Sequence, residues 1–144
     1  MVVVHVERSI DAPPEPVFAW LADPENLRTA PLILRARWSS GSPPAGVGAF
    51  REAVGVGMWL REEITAFDPP QSYSYRIRRS IPVFVHQGGS ITVEPVGEGA
   101  HVTWVTEYTH PRYCGGKALE VLTARLLPWN FQAVLDRCAD AVEA

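Results

Sequence analysis

Two glutamates, Glu52 and Glu62, are the side chains of this sequence best suited to acid–base chemistry. Each lies two residues from a large apolar residue in a strand-like segment, Glu52 from Phe50 and Glu62 from Leu60. Because alternate residues of a strand share a face, both carboxylates are expected to point toward the apolar interior. Two carboxylates in one apolar site can divide the roles of acid and base, as in the dehydration or cyclisation of a carbonyl compound.

Whether the two glutamates meet depends on the turn between their strands. An odd number of residues in the turn at Gly55 to Met58 would place Glu52 and Glu62 opposite each other. A bulge near Gly55 or Gly57 would instead turn one or both outward, where they would pair with surface arginines. Buried unpaired carboxylates are rare, and the sequence leaves both arrangements open.

Aromatic side chains recur at alternate positions of the later strand segments. Tyr73 and Tyr75 share one face, and Trp104 and Tyr108 share another, so we expect them to line a cavity and to present hydroxyl groups to a ligand. Core packing alone would also explain Trp104. With Glu52 and Glu62, the candidate ligand-binding residues are Phe50, Leu60, Tyr73, Tyr75, His86, Trp104, Tyr108, Leu122 and Leu126.

His86 is a candidate whose direction the pattern does not assign. It precedes Gly88 and Gly89, which predict a bulge that breaks the alternation of faces. A cavity role and a role as a surface or structural histidine therefore both fit the sequence.

Other kinds of site lack support in the sequence. The glycine pairs at Gly46 and Gly48 and at Gly55 and Gly57 lie between predicted strands, without the strand-to-helix turn that cradles a phosphate. The four histidines and two cysteines are widely spaced, which is not typical of a metal site. No nucleophile with a neighbouring base is evident. We therefore predict no cofactor and no metal.

The spacing of apolar residues predicts the strands and helices that carry the candidate site residues. Residues 2–10 alternate as a strand, and two short helices follow before Pro31. From Leu34 to Thr109, short turns separate six more strands, which favours hairpins and an antiparallel sheet. Residues 116–142 return to helical spacing, with Leu119, Leu122 and Leu126 on one stripe and a kink expected at Pro128.

The composition predicts one folded α+β domain over residues 1–144. The net charge is −3 and the basic residues are scattered along the sequence, so we expect no nucleic-acid partner. No segment reaches the ~20 apolar residues of a membrane span, and the N-terminus does not resemble a secretory signal. A cytoplasmic location is the resulting expectation.

Three segments in order resemble the START-like or SRPBCC superfamily, and within it the polyketide cyclase/dehydrase-like family. They are residues 10–25, 62–70 and 97–104. The resemblance implies a helix-grip fold, in which a curved seven-stranded antiparallel sheet wraps around a long C-terminal helix and a cavity lies between them. It implies no family-wide catalytic residue, because members share architecture and differ in chemistry.

The resulting functional prediction is the binding of an apolar small molecule, such as a lipid, polyketide or quinone-like compound. An enzyme version would use Glu52 or Glu62 as acid and base in a cyclase or dehydratase, whereas a carrier needs only apolar volume and a few polar anchors. The alternative is a protein-interaction module of co-chaperone or toxin type, for which residues 81–85 are the candidate exposed apolar patch. The sequence does not assign the oligomeric state.

Overall fold

A seven-stranded antiparallel sheet and one long helix make up most of the chain. The structure is a computed structural model that describes residues 1–143, so Ala144, the last residue of the expected domain, lies outside the described residues. The elements are β1 (Val2–Ile10), α1 (Pro14–Ala22), a 3-10 helix (Pro24–Thr29), β2 (Ile33–Trp38), β3 (Phe50–Gly55), β4 (Met58–Asp68), β5 (Ser72–Ile81), β6 (Val85–Val96), β7 (Gly99–Thr109), a 3-10 turn (Arg112–Cys114) and α2 (Gly116–Val142).

The strands are ordered β1-β7-β6-β5-β4-β3-β2, and all neighbours are antiparallel. Strands β2 to β7 follow one another as a meander because their connections are too short for a parallel crossover. Pairing of β1 with β7 places the first strand beside the last. The predicted α+β helix-grip fold, with seven strands, two short helices after β1 and a long C-terminal helix, is confirmed.

The sheet has two ends, which differ in what they hold. The cavity end contains the β3–β4 turn, the β5–β6 connection, the β7–α2 connection and the start of α2. The far end contains the β1–α1, β2–β3, β4–β5 and β6–β7 connections and the end of α2, where Asp11 N donates to Glu143 Oε2. The residues of one end are therefore distant in sequence and brought together by the antiparallel pairing.

The interior toward the far end is a tightly packed apolar core. α1 buries Val17, Phe18 and Leu21 under the sheet, and α2 contributes Leu135 and Cys138 to the same cluster. Burial raises the pKa of the Cys138 thiol to about 12, so the side chain behaves as an apolar group. A smaller cluster of Val4, Phe84, Tyr108 and Leu127 lies toward the cavity end.

Candidate functional site

A cavity of about 60 Å³ lies between the sheet and the middle of α2. Its apolar wall includes Leu60, Ile77, Phe84, Leu127, Phe131 and Val134. Its polar wall is formed by Arg51, Glu62, Tyr75, His86, Thr106 and Asn130. An apolar cavity with a few converging polar groups is the usual form of a small-molecule site.

The polar wall is organised by an ion pair between Arg51 and Glu62. The residues are cross-strand partners on β3 and β4, and Arg51 Nε donates to Glu62 Oε1 at 2.7 Å while both side chains are buried. The guanidinium also lies 5.4 Å and 4.9 Å from the ring centroids of Tyr73 and Tyr75. Burial acts to lower the pKa of Arg51, but the Glu62 carboxylate and the tyrosines outweigh it and hold that pKa above its ordinary value.

Of the two arrangements that the sequence left open, the pair of inward carboxylates is not formed, because Glu52 lies on the outer face of the sheet. Gly55 pairs directly with Met58, so the turn contains two residues, an even number, and Glu52 pairs with Arg61. Glu52 accepts a hydrogen bond of 3.4 Å from Trp59 Nε1. Partners in an antiparallel pair share a face, so the inward Glu62 faces Arg51 and not a second carboxylate.

Phe50 is likewise on the outer face, contrary to the expectation that it lines the cavity. In β3 the buried positions are Arg51, Ala53 and Gly55, one residue out of phase with the predicted face. The guanidinium of Arg61 lies 4.6 Å from the ring centroid of Phe50 and shields the ring from water. The sequence pattern gave the wrong inner face for β3 because Phe50 lies on the outer face of the sheet and Arg51 on the inner face.

His86 lies on the cavity wall as a neutral imidazole. A register shift between His86 and Gly88 marks the expected bulge. Nδ1 accepts a hydrogen bond of 2.9 Å from Ile77 N, so the ring proton is on Nε2, which donates to Thr106 Oγ1. Burial and the Arg76 guanidinium lower the pKa of His86 to about 4, which keeps the ring uncharged at neutral pH.

Tyr75 and Trp104 form the centre of the cavity wall, as expected from the alternation of β5 and β7. Trp104 Nε1 donates to the Tyr75 hydroxyl at 2.8 Å, and the Tyr75 ring stacks on His86 with centroids 5.5 Å apart. Burial raises the pKa of Tyr75 above its ordinary value. Position 89 must be glycine here, because a Cβ atom on Gly89 would lie 2.3 Å from the Tyr75 ring.

The stack of Trp104 on Phe131 narrows the cavity. The two rings are nearly parallel, at an interplanar angle of 5°, and their centroids are 3.9 Å apart. Trp104 comes from β7 and Phe131 from α2, so the stack bridges the sheet and the helix. Trp104 is anchored by its hydrogen bond to Tyr75, whereas Phe131 has no polar atom to anchor it.

Tyr108 and Tyr73 differ in position. Tyr108 lines the cavity and donates from its hydroxyl to Thr123 Oγ1 at 2.8 Å. Tyr73 is buried beside the ion pair, where its hydroxyl accepts from Arg51 Nη1 at 3.2 Å and donates to Leu21 O at 2.9 Å. Tyr73 therefore supports Arg51 from behind and is not itself on the cavity wall.

The two leucines predicted on α2 do not reach the cavity. Leu122 is 53% exposed and Leu126 is half-buried, whereas Leu127 lines the cavity. The buried stripe of the helix includes Thr123 and Asn130, which hold Tyr108 and the backbone N–H of Leu32, respectively. Because polar residues lie on the buried face, the leucine pattern pointed to the wrong side of the helix.

Of the predicted candidates, six lie on the cavity wall: Leu60, Glu62, Tyr75, His86, Trp104 and Tyr108. The most important residue that the sequence analysis missed is Arg51. The signal that would have helped is Gly57, because a glycine suits the third position of a four-residue turn and so allows a two-residue connection at Val56 and Gly57. That turn pairs Arg51 with Glu62 at once.

Residues 1–143 contain no group of three or more His, Cys, Asp or Glu side chains that could hold a metal ion. No helix within the same range combines the length and apolar character needed to cross a membrane. The groups of the polar wall can donate and accept hydrogen bonds, and two of them form the Arg51–Glu62 ion pair.

The fold and the site define a helix-grip protein with a buried cavity. The sequence pattern of the family described as polyketide cyclase/dehydrase and lipid transport matches residues 1–143, and the chain belongs to this family. The expected START-like, SRPBCC resemblance is thereby confirmed. Among proteins with curated descriptions, none matches this chain.

Solved structures show the same fold at low sequence identity. TTHA0849 from Thermus thermophilus is similar at 21% identity and a TM-score of 0.79, over 97% of this chain and 96% of that chain. XoxI from Bacillus cereus is similar at 19% identity and a TM-score of 0.72, over 99% and 96% of the two chains. The Aha1 dimer from Colwellia psychrerythraea gives 16% identity and a TM-score of 0.67, over 99% and 97%.

Proposed function

We propose that this protein binds an apolar small molecule of the lipid, polyketide or quinone-like class in the cavity between the sheet and α2. The observation that carries the proposal is the buried ion pair of Arg51 and Glu62 on a wall of that cavity. A buried ion pair stabilises a fold no better than apolar residues of similar shape. Its presence beside a void is therefore better explained by recognition of a ligand than by packing.

The arrangement of the ion pair favours a ligand with a neutral oxygen group. Glu62 Oε2 and Arg51 Nη2 take part in none of the hydrogen bonds found among residues 1–143. A ligand hydroxyl can accept from Arg51 and donate to Glu62 at the same time. A ligand carboxylate would add a second negative charge beside Glu62, and an uncompensated buried charge is costly.

The size of the cavity requires a side chain to move on binding. A volume of about 60 Å³ is well below the ~300–1,000 Å³ of a typical ligand pocket, and it is too small for a bicyclic ligand. Phe131 is the side chain that we expect to move, because it occupies the space beside Trp104 without a hydrogen bond to fix it. Its displacement exposes the Trp104 ring to the ligand.

The proposal is binding rather than catalysis, because the pair of carboxylates that could divide the roles of acid and base is not formed at the cavity. Glu62 alone faces the cavity, and it is already engaged by Arg51. In the alternative interaction segment, Ile81 and Val85 are exposed but Phe84 is buried against the cavity. Residues 81–85 therefore do not form a fully exposed apolar patch, because Phe84 belongs to the cavity wall.

Thermal melts with matched naphthalene derivatives test the proposal. A ligand that binds only the native state raises the melting temperature, and we expect naphthol to raise it most, naphthalene less and naphthoate least. The variant Glu52→Gln is the matched control, since it makes the same chemical change on the outer face of the adjoining strand. Equal shifts for naphthol in the wild type and in Glu62→Gln would refute the role of the ion pair, and no shift with any compound would refute binding.

A further inference from the structure

The cavity end carries exposed apolar side chains that the cavity does not account for. Each of four is more than half exposed, and they come from the β3–β4 turn, the end of β5, the 3-10 turn and α2: Val56, Ile81, Tyr113 and Leu122. Of the twelve most exposed large apolar side chains in residues 1–143, only Val47, in the β2–β3 connection, and Val96, the last residue of β6, lie at the far end. The exposed apolar surface is therefore concentrated around one end of the molecule.

Basic residues accompany these apolar side chains. Arg112 and Lys117 line one surface hollow at the start of α2, and Arg78 and Arg79 line another beside the β5–β6 connection. The second hollow shares Phe84 with the cavity, so it adjoins the cavity wall. Residues that are scattered along the sequence thus converge in the fold. We call Val56, Ile81, Tyr113, Leu122, Arg79, Arg112 and Lys117 the docking surface.

The far end has the opposite charge. Seven exposed carboxylates belong to its connections and to the helices that adjoin them: Asp11, Glu15, Asp68, Glu94, Glu98, Asp140 and Glu143. Arg137, an exposed cation in the last turns of α2, lies 3.6 Å from Asp140. At the cavity end, Glu120 lies 3.5 Å from the N-terminal ammonium, and the first turn of α2 contains no acidic residue. A negatively charged surface therefore attracts the cavity end and repels the far end.

We propose that the docking surface binds the surface of an anionic lipid bilayer. Exposed apolar side chains enter the interfacial region of a bilayer, while arginine and lysine stay at the level of the anionic headgroups. A bilayer fits the surface better than a protein partner does, because the apolar residues come from four separate segments and a bilayer needs no matching shape.

The proposal rests on the proposed function in one respect. An apolar ligand is concentrated in the hydrocarbon of a membrane, and docking sets the cavity end against that source. Phe84, which belongs to both the cavity wall and an adjoining surface hollow, connects the two regions.

Flotation of the full chain with vesicles tests the docking surface. We expect binding to vesicles of equal parts phosphatidylcholine and phosphatidylglycerol and much weaker binding to phosphatidylcholine alone. Raising the salt from about 0.1 M to about 1 M shortens the Debye length from about 10 Å to about 3 Å and should release the protein. Arg112→Gln with Lys117→Gln should weaken binding about fivefold for each cation removed.

Matched variants at the far end provide the controls. Arg137→Gln removes an exposed cation there, and Val96→Ser removes an apolar side chain that is 60% exposed, against 68% for Ile81. Ile81→Ser should weaken vesicle binding, whereas both far-end variants should bind as the wild type does. Equal effects at the two ends, or no binding to the anionic vesicles, would overturn the proposal.

Two further measurements separate the docking proposal from its alternatives. If size-exclusion chromatography shows a dimer that Ile81→Ser dissociates, a second copy covers the surface and the bilayer proposal is wrong. The naphthol melt on the same protein separates the two proposals of this article. A naphthol shift without vesicle binding overturns docking alone, whereas vesicle binding without any ligand shift supports docking and overturns the ligand site.

Discussion

The two halves of the interior are built on the same sheet and the same helix, but they bury different groups. Toward the far end, Leu21, Ile91 and Leu135 are fully enclosed by apolar neighbours. Toward the cavity end, the sheet and helix enclose Arg51, Glu62 and a void. Packing explains the first half. The second half leaves a void and buries charge, as the proposed ligand site requires.

The largest expected effect comes from breaking the ion pair on one side. Arg51→Met leaves the Glu62 carboxylate buried without its partner, so we expect the free energy of unfolding to fall by about 4 kcal/mol. Replacing both, as Arg51→Met with Glu62→Leu, should return it to within about 1 kcal/mol of the wild type. Urea denaturation measures both values. An equal loss in the single and double variants would show that the pair is not the reason for the loss.

Substituting two leucines of α2 by alanine compares how tightly the two halves of the interior are packed. Leu135 is fully enclosed in the far half, so Leu135→Ala should cost about 3 kcal/mol or more. Leu127 borders the cavity and is 8% exposed, so Leu127→Ala removes fewer contacts and should cost about 2 kcal/mol. Chemical denaturation of the two variants provides the test. The reverse order would mean that the cavity half is the better packed one.

Acid should lower the free energy of unfolding by protonating His86, which lies in the cavity half of the interior. Its pKa of about 4 in the folded state lies below the ~6.5 of an unfolded histidine, so the unfolded chain binds the proton more readily. The stability contribution is complete above about pH 6.5, decreases as the pH falls from there, and is lost once the pH has fallen through 4, about 3 kcal/mol in total. His86→Gln should flatten the stability profile in that window relative to the wild type. If the stability of the wild type and of His86→Gln changed with pH in the same way, other groups would be the cause of the acid sensitivity.

The smallest effect is expected on the outer face of β3. Glu52 is partly exposed and its hydrogen bond to Trp59 is long, so Glu52→Gln should change the free energy of unfolding by less than about 0.5 kcal/mol. Glu62→Gln, on the adjoining strand, should cost several times more because it removes the charge that compensates Arg51. Thermal melts of the pair compare the two faces of the sheet, and similar losses would place both glutamates in equivalent surroundings.

The architecture could be predicted from the sequence because it follows from the short turns and from the change between strand spacing and helical spacing. Neither signal depends on which side chains are buried. The helix predicted over residues 116–142 matches α2 (Gly116–Val142). Alternation also placed Tyr75, Trp104 and Tyr108 on the cavity wall correctly. These residues follow the ordinary rule that large aromatic side chains face inward.

The predictions from sequence were wrong at positions where a polar side chain is buried and an apolar side chain faces outward. Arg51 is inside and Phe50 outside, so the hydrophobic pattern gave the wrong phase for β3. On α2, Thr123 and Asn130 are buried while Leu122 is exposed, so the pattern again pointed to the wrong face. Both errors lie at the cavity wall or at the proposed docking surface, and departures from local rules are expected where residues serve a function and not the packing of the fold.

Methyl NMR during a titration with naphthol reports on both halves of the interior at once, so it shows directly where the ligand binds. The account predicts shifts and intermolecular NOEs at the methyl groups that line the cavity, those of Leu60, Ile77 and Leu127. It predicts little change at the enclosed methyl groups of the far half, those of Ile91, Val93 and Leu135. Shifts confined to the far half or to the outer face of the sheet, or no shifts at saturating naphthol, would contradict the account.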